Sequence, residues 1–370
     1  MKEKKKAANQ KENGSESPRY MPTMTQDYSR ISDTAKAIDL KILPGIMTYI
    51  RSISSRMSHM DPESPFVIAD YGAADGVNSS SLFEKIIEEI RAANPSLKIR
   101  LLYIDIAIRD YFDQFWVNSK LKRMGRVEAE YIQRSFYEAF PEISRKLNIG
   151  FSSTSLHWLN TKDVDTDFFQ HPAQIQANQI PDEERRKFVE KWGKDWRVFF
   201  GKRAVELVKG GALFLANLTN RGRDRWPASA GYNNLRDICR ELCQEGGIKS
   251  EELNAIFVPD YFATPDEMQS LIDENKIKKL FDLKSFEEMT VPCAYYSQVK
   301  DQLENEQARA KLADTLAHVV RAWSESSIRT GLSPDNKDKI EEIYRRLREK
   351  FYETPEGLPY EYCLLELIKK

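Results

Sequence analysis

Residues 66–78, FVIADYGAADGVN, are the stretch that decides the fold. An apolar run ends at Asp70, two glycines follow at Gly72 and Gly76, and apolar residues then recur at helical spacing over residues 79–91. This pattern predicts a buried strand, a tight turn that needs glycine, and a helix whose first N–H groups point back toward the turn. Such a turn is common in α/β proteins and can hold a nucleotide-like ligand.

The same stretch bears on which ligand would bind. The dinucleotide fingerprint Gly-x-Gly-x-x-Gly is absent. An acid before two spaced glycines instead suits S-adenosylmethionine, because Asp70 can bind its ammonium group directly or through water. A second apolar run at residues 98–106 reaches Asp105, and an acid at this position of a doubly wound fold accepts hydrogen bonds from ribose hydroxyls. Two consecutive strands that each end in Asp favour a cofactor site over two exposed strand-end aspartates.

Composition narrows the class of protein. A formal net charge of −1 over 370 residues gives no electrostatic case for nucleic acid or an anionic membrane as partner. No apolar run approaches the roughly 18 residues of a membrane span, and the Lys-rich start is not followed by the apolar region of a secretory signal. The four cysteines and four histidines show no metal-ligand spacing. We therefore expect a cytoplasmic, reduced protein without a metal site.

Periodicity predicts the remaining elements. A helix is expected over residues 27–51, which Pro44 kinks or divides. A helix over residues 183–208, a Gly-Gly pair and a strand over residues 212–218 would continue a parallel sheet. Further helices are expected at residues 232–244, 301–329 and 340–351, and strands at 286–295 and 360–368. The expected parts are a disordered tail (1–20), a cofactor-binding core (21–220), a mainly helical substrate cap with a core strand near 284–295 (221–336), and a final helix and strand that return to the sheet (337–370).

Several segments together resemble the plant-type SABATH family of S-adenosylmethionine-dependent carboxyl methyltransferases. They are residues 68–78, Ser135-Phe136-Tyr137, the run SSTSLHWL at residues 152–159, the Gly-Gly-strand at Gly210 and the ending 360–370. Their shared order and spacing carry the resemblance, which extends from about Asp27 to Lys370. It implies an α/β fold: a Rossmann-like class I methyltransferase sheet with helices on both faces and an α-helical cap. It leaves a homodimer open.

The resemblance also implies which residues contact the cofactor. Matched position by position, these are Tyr28, Ser32, Asp70, Gly72, Asn78, Asp105, Ile106, Ser135 and Phe136. Asp70, Asn78 and Ser32 would surround the methionine end, and Asp105 would bind the ribose. Ile106 and Phe136 would sandwich the adenine, with Ser135 near its polar edge.

The methyl acceptor implied by the family is a small carboxylic acid. Its carboxylate would be held by the catalytic pair His157 and Trp158, whose ring N–H groups suit an anion. The substrate pocket would also include Thr154, Tyr232, Val320 and Tyr360. The aromatic members favour a flat or apolar acid. Because a carboxylic acid with a pKa of ~4 is already ionised at neutral pH, methyl ester formation needs no general base.

One departure from the family keeps alternatives open. The family usually has Gln at the position of Ala35, where it helps to hold the carboxylate. Either fewer donors act here, or Gln26 or Arg30 substitutes. The same change leaves open N-methylation of a purine-like molecule. Two alternatives come from other classes of protein. A non-catalytic scaffold with this fold would not need the intact set of cofactor residues. A nicotinamide oxidoreductase would be expected to have the dinucleotide fingerprint, which is missing.

Overall fold

The computed structural model describes residues 34–107, 109–222 and 225–370. Within these ranges the chain forms one seven-stranded sheet. The strands are β1 (Phe66–Tyr71), β2 (Ile99–Asp105), β3 (Val127–Gln133), β4 (Leu147–Ser153), β5 (Leu207–Leu218), β6 (Phe281–Val291) and β7 (Tyr360–Lys369). Their spatial order is β3-β2-β1-β4-β5-β7-β6; β1 to β5 run parallel, and β7 lies antiparallel between β5 and β6.

Helices connect and cover the strands. Those described are α1 (Ala35–Ser52), α2 (Ser54–Ser58), α3 (Val77–Ala93), α4 (Arg109–Asn118), α5 (Lys120–Arg123), α6 (Asp182–Glu206), α7 (Ser229–Gln244), α8 (Ser250–Ala255), α9 (Pro265–Ile272), α10 (Asn275–Lys278), α11 (Ala294–Val299), α12 (Glu306–Gly331) and α13 (Lys339–Glu353).

Strand β1 lies inside the sheet and is buried along its whole length. Its side chains alternate between the two faces, as the period of a strand requires. Val67, Ala69 and Tyr71 pack into one core cluster with α6, whereas Phe66 and Ile68 pack into the other with α1 and α3. The predicted α/β sheet with helices on both faces is therefore confirmed.

Strand β3 was not predicted from the sequence. It is an edge strand that pairs only with β2, and its residues alternate between exposed and half-buried positions at its start. Two of its side chains, Glu128 and Glu130, form ion pairs with Lys98, directly before β2, and with Arg100 of β2. Charged residues are typical of an edge strand, and they hide the apolar run by which the inner strands were recognised.

Several predicted boundaries were wrong. Helix α1 continues through Pro44 rather than dividing there. The helix expected to reach residue 208 ends at Glu206, and β5 begins at Leu207 without a loop. The strand expected at 286–295 spans Phe281–Val291, and the helix expected at 301–329 is preceded by a separate short helix, α11.

A third apolar cluster joins the helices of the second half of the chain. Helices α7, α12 and α13 pack there against the outer end of the sheet. Strand β7 returns from α13 to the sheet and brings Tyr360 and Tyr362 to its end. This arrangement places a helical layer beside the carboxyl ends of β4 and β5, where the candidate site lies. The expected tail 1–20 is outside the described residues.

Candidate active site

A deep cleft opens at the carboxyl ends of β1, β2 and β4. Open parallel sheets bind ligands at this edge, where strand order reverses. Seven predicted cofactor residues line the cleft: Asp70, Gly72, Asn78, Asp105, Ile106, Ser135 and Phe136. The two other predicted contacts, Tyr28 and Ser32, lie outside the described residues.

The turn after β1 needs glycine at position 72. Gly72 has a φ of +85°, and a Cβ there would lie 2.2 Å from Oγ of Ser155. The Ser155 hydroxyl donates a hydrogen bond to the Gly72 carbonyl over 3.0 Å. The close approach therefore ties the turn to the segment after β4. Asn78 follows in the first turn of α3, which begins at Val77, two residues earlier than predicted.

The carboxylate of Asp105 is held by backbone groups. It accepts hydrogen bonds from the N–H of Ala74 at 2.8 Å and from the N–H of Ala107 at 2.9 Å. Burial raises its pKa, and these backbone bonds oppose that rise. The carboxylate is thus fixed beside the β1 turn, and an acid at this place can accept hydrogen bonds from two vicinal hydroxyls.

Among the described residues, three carboxyl groups line the cleft, those of Asp70, Asp105 and Asp39. Asp70 is 4% exposed, and burial raises its pKa to about 7, with further contributions from Asp105 and Asp39. Asp39, in the second turn of α1, lines the same cleft and was not predicted. Its pKa is also raised to about 7 by burial, while Lys85 opposes the rise. A cationic ligand would relieve this concentration of carboxylates.

Helix α6 holds Phe136, an aromatic residue that lines the cleft, in position through hydrogen bonds. The Phe136 carbonyl accepts a hydrogen bond from the buried Arg203 guanidinium at 2.6 Å, and the same guanidinium pairs with Glu206 at 2.7 Å. Glu206 also accepts from the Tyr71 hydroxyl at 2.7 Å. The Tyr137 hydroxyl donates to the Trp158 carbonyl at 2.8 Å. This network fixes the loop after β3 against both the sheet and the segment after β4.

The lining fits S-adenosylmethionine. This molecule carries an ammonium and a sulfonium against one carboxylate, so its net charge is +1, which matches an acidic cleft. Asp105 is placed for ribose hydroxyls, and Ile106 and Phe136 offer apolar surface for a flat base. The deciding observation is Asp70, a buried carboxyl at the turn whose raised pKa a cation would lower.

A second, smaller cavity adjoins the cleft. Its lining consists of Thr154, His157, Trp158, Leu218, Pro227, Ala228, Tyr232, Phe262, Trp323 and Tyr360. Thr154 and Trp158 line both spaces, so the two meet at these residues. Thr154 has a φ of +55°, which is strained for a β-branched residue, and its Oγ1 lies 3.0 Å from the Tyr362 hydroxyl.

His157 is a neutral member of this cavity. It is 4% exposed, and burial lowers its pKa from 6.5 to about 3. Its Nδ1 is buried without a hydrogen-bond partner among the described residues, and its ring lies 5.2 Å from that of Trp158. A neutral imidazole can donate one hydrogen bond and cannot supply a positive charge.

Tyr232 is held by a buried acid that the sequence did not single out. Its hydroxyl lies 2.5 Å from Oδ2 of Asp260, and Gln176 donates to Oδ1 of the same carboxyl at 2.9 Å. Asp260 also forms an isolated bridge with Trp158 through the backbone. Burial raises the pKa of Asp260 to about 7. One acid therefore positions two walls of the second cavity.

Val320 is the predicted substrate residue that the structure places elsewhere. Val320 is fully buried and packs against Gly231. A Cβ added to Gly231 would lie 2.8 Å from Cγ2 of Val320. Trp323, which lies almost one helical turn further along α12, lines the cavity instead. Trp323 could have been considered from the sequence, because it lies three residues after Val320 in the same predicted helix. Phe262 and Pro227 had no comparable signal.

The described residues contain neither a metal-binding cluster nor a helix suited to a membrane. In residues 34–107, 109–222 and 225–370, no group of three or more His, Cys, Asp or Glu side chains is placed to hold a metal ion. Within the same ranges, no helix combines the length and the apolar character required to cross a lipid bilayer.

The sheet order and the acidic cleft define a methyltransferase that uses S-adenosylmethionine. The family model described as SAM dependent carboxyl methyltransferase matches residues 23–368. The chain belongs to this family, and it is an S-adenosylmethionine-dependent O-methyltransferase. The resemblance inferred from the sequence is therefore confirmed.

Individual relatives are distant in sequence. Methyltransferase FUS9 of Gibberella moniliformis is 27% identical over 291 residues, which are 74% of this chain and 73% of the relative. Jasmonate O-methyltransferase of Arabidopsis thaliana is 25% identical over 56% of this chain and 61% of its own length. A solved structure of loganic acid methyltransferase with SAH superposes with a TM-score of 0.70 at 18% identity, over 93% of this chain and 96% of that chain. At this identity the superposition shows the shared fold.

Proposed function

We propose that this protein methylates the carboxylate of a small acid with an aromatic or apolar body, to give a methyl ester. The observation that carries the proposal is the junction of the two cavities at Thr154 and Trp158. An acid whose body fills the second cavity can place its carboxylate at this junction, next to the methionine end of the cleft.

The residues at the junction act by orientation. Trp158 has an indole N–H and His157 one imidazole N–H to donate to a carboxylate. The pKa of about 3 makes His157 a weak base, and methylation of an ionised carboxylate releases no proton, so we assign His157 no proton transfer. Holding two reactants in line can lower a barrier by about 7–11 kcal/mol. We propose that these side chains, together with the hydroxyl of Thr154, supply this orientation.

The cofactor supplies the reactive methyl group, and the residues of the second cavity bind the acid and exclude water. When bound, S-adenosylmethionine supplies a methyl group on a sulfonium, which is an activated leaving group. A carboxylate oxygen forms the new C–O bond while the C–S bond breaks, its electron pair stays on sulfur, and no proton moves. The walls formed by Trp158, Tyr232, Phe262 and Trp323 keep water from the junction and contact a flat acid from several sides.

The nature of the acid body follows from the lining. Each described residue of the second cavity is apolar or neutral at pH 7, and aromatic rings predominate. Such a surface binds an apolar body and gives no partner to a second charge. We therefore propose a monocarboxylic acid. The relatives named for jasmonate and loganic acid support acid substrates as a class.

A second candidate is N-methylation of a purine-like molecule. One relative is named 3,7-dimethylxanthine N-methyltransferase, from Camellia sinensis var. assamica, and is 21% identical over 85% of both chains. A flat purine would fit aromatic walls as a flat acid does. Ala35 lines the cleft where the family usually has a carboxylate-binding Gln, which is consistent with this alternative.

A label-transfer screen separates the two candidates. The protein is incubated with methyl-labelled cofactor and a panel of aromatic and aliphatic monocarboxylic acids, their primary amides, and methylxanthines. We expect label in base-labile methyl esters of one group of acids and none in the matched amides. Label that enters only the xanthines and resists base would overturn the proposal.

A further inference from the structure

Asp39 is a cleft residue to which the proposed reaction gives no role. It lies on α1, four residues after Ala35, so both side chains are on the same face of the helix. Asp39, Ala35 and Thr34 all line the cleft. The helix therefore presents an acid to the part of the cleft that also contains Asp70.

The charges that face Asp39 are mostly of its own sign. Asp39 lies close enough to Asp70 to raise its pKa, and Asp105 acts on Asp70 in the same direction. Lys85 of α3 exerts an opposing influence on Asp39, but no ion pair involves Asp39 within the described residues. Lys162 also lines the cleft, and its ammonium is paired with Glu138 at 2.8 Å. The described lining of the cleft thus contains three carboxyl groups and one ammonium, and that ammonium is already paired.

Methyl donor and demethylated product differ by one charge. S-adenosylmethionine has a net charge of +1, whereas S-adenosylhomocysteine, which has lost the sulfonium, is neutral overall. The two molecules share the ammonium, the carboxylate, the ribose and the adenine. Any preference that a carboxylate shows between them therefore arises from the sulfonium.

We propose that Asp39 is a specificity residue that favours the sulfonium donor over the neutral thioether product. With Asp105 assigned to the ribose and Asp70 to the ammonium, the carboxylate of Asp39 is the remaining acid among the described residues that line the cleft, and it can compensate the sulfonium. Its attraction disappears when the methyl group leaves. The product is then held less tightly than the donor, and it is released and replaced. This role concerns the donor alone and does not depend on which acid is methylated.

The test is a comparison of two dissociation constants by calorimetry. Binding of S-adenosylmethionine and of S-adenosylhomocysteine is measured for the wild type, Asp39→Asn and Asp39→Glu, without an acceptor. Asp39→Asn keeps the shape and removes the charge, whereas Asp39→Glu keeps the charge. Glu89→Gln is the matched control, because Glu89 pairs with Arg51 on the outside of α1 and α3 and its loss changes the net charge equally.

We expect Asp39→Asn to weaken donor binding more than product binding, so that the preference for the donor falls about three- to tenfold. Asp39→Glu and Glu89→Gln should keep the preference of the wild type. Equal weakening of both ligands in Asp39→Asn would overturn the proposal, because it would show contact with a shared group only. An unchanged preference in Asp39→Asn, or an equal loss in Glu89→Gln, would also overturn it. Failure of methyl transfer to acids would leave these constants unaffected.

Discussion

The hydroxyl groups of Thr154 and Tyr362 lie 3.0 Å apart at the junction of the two cavities. Thr154 belongs to the segment after β4, whereas Tyr362 lies on the antiparallel strand β7, so the contact joins distant parts of the chain. If the Tyr362 hydroxyl donates this bond, the proton of Thr154 remains available to the acceptor. The strained backbone of Thr154 is consistent with a residue that is held in place for function.

Removing the Thr154 hydroxyl should weaken acceptor binding. For Thr154→Val, which is close in shape, we expect the KM of the acid to rise about two- to tenfold, the value of one hydrogen bond. Thr154→Ser retains the hydroxyl and should behave as the wild type. The measurement is steady-state kinetics with the acid varied at saturating donor. Equal KM values for Val, Ser and wild type would show that the hydroxyl does not contact the acid.

His157 should remain neutral through the physiological range. Its pKa is about 3 in the folded protein and 6.5 when exposed, so the unfolded chain binds the proton more readily between these values. This contribution to stability is complete above pH 6.5 and is lost as the pH falls toward 3. Between pH 7.5 and pH 5 the loss is about 2 kcal/mol.

Urea denaturation at several pH values measures this loss. The free energy of unfolding is determined between pH 5 and 7.5 for the wild type and for His157→Gln, which keeps an N–H donor and does not titrate. We expect the decrease toward acid to be smaller in the variant by about 2 kcal/mol. Identical pH dependences for the two proteins would mean that His157 titrates normally.

Acceptor binding should depend on the charge of the bound cofactor. No described residue of the second cavity carries a charge at neutral pH, so we expect the cofactor to supply the positive partner of the acid carboxylate. An acid should bind at least ~threefold more tightly beside sinefungin, which retains a positive charge near the position of the sulfonium, than beside S-adenosylhomocysteine. Calorimetric titration with each cofactor analogue measures the ratio. A matched primary amide should show no such ratio, and an equal ratio for acid and amide would contradict the charge argument.

The buried Arg203 network should be essential for stability. Arg203→Met leaves Glu206 and two backbone carbonyls without their cation, and the loss of one partner of a buried pair costs about 3–5 kcal/mol. Arg197→Met, on the same helix, removes an exposed pair with Glu274 and should cost about 1 kcal/mol or less. Chemical denaturation compares the two. Similar losses for both variants would show that the buried network adds nothing beyond a surface pair.

Local signals in the sequence were sufficient for the central part of the fold. Asp70 and Gly72 could be interpreted because strand, acid and glycine are adjacent in the chain, and Asp105 because it ends the next strand. Asp39 was missed because its position in the cleft depends on how α1 packs against the sheet. Asp260 was missed for the same reason, since the partner of its carboxyl, Tyr232, is 28 residues away.

Substrate residues in the helical layer were harder to predict than cofactor residues. Val320 and Trp323 lie on the same helix, and a difference of almost one turn decides which of them reaches the cavity. Periodicity predicts the helix but does not fix its rotation against α7. The close contact of Val320 with Gly231 fixes that rotation, and it becomes visible only when the two helices are packed together.

In the proposed reaction, Trp158 orients an acid carboxylate beside the bound methyl donor. The most direct measurement is kcat/KM for the best acid in Trp158→Phe, together with the dissociation constant of S-adenosylmethionine for the same variant. We predict that kcat/KM falls about tenfold or more, because the indole N–H is lost while the apolar ring remains, and that donor affinity stays within about twofold of the wild type. An unchanged kcat/KM, or an equal loss of donor affinity, would contradict the account.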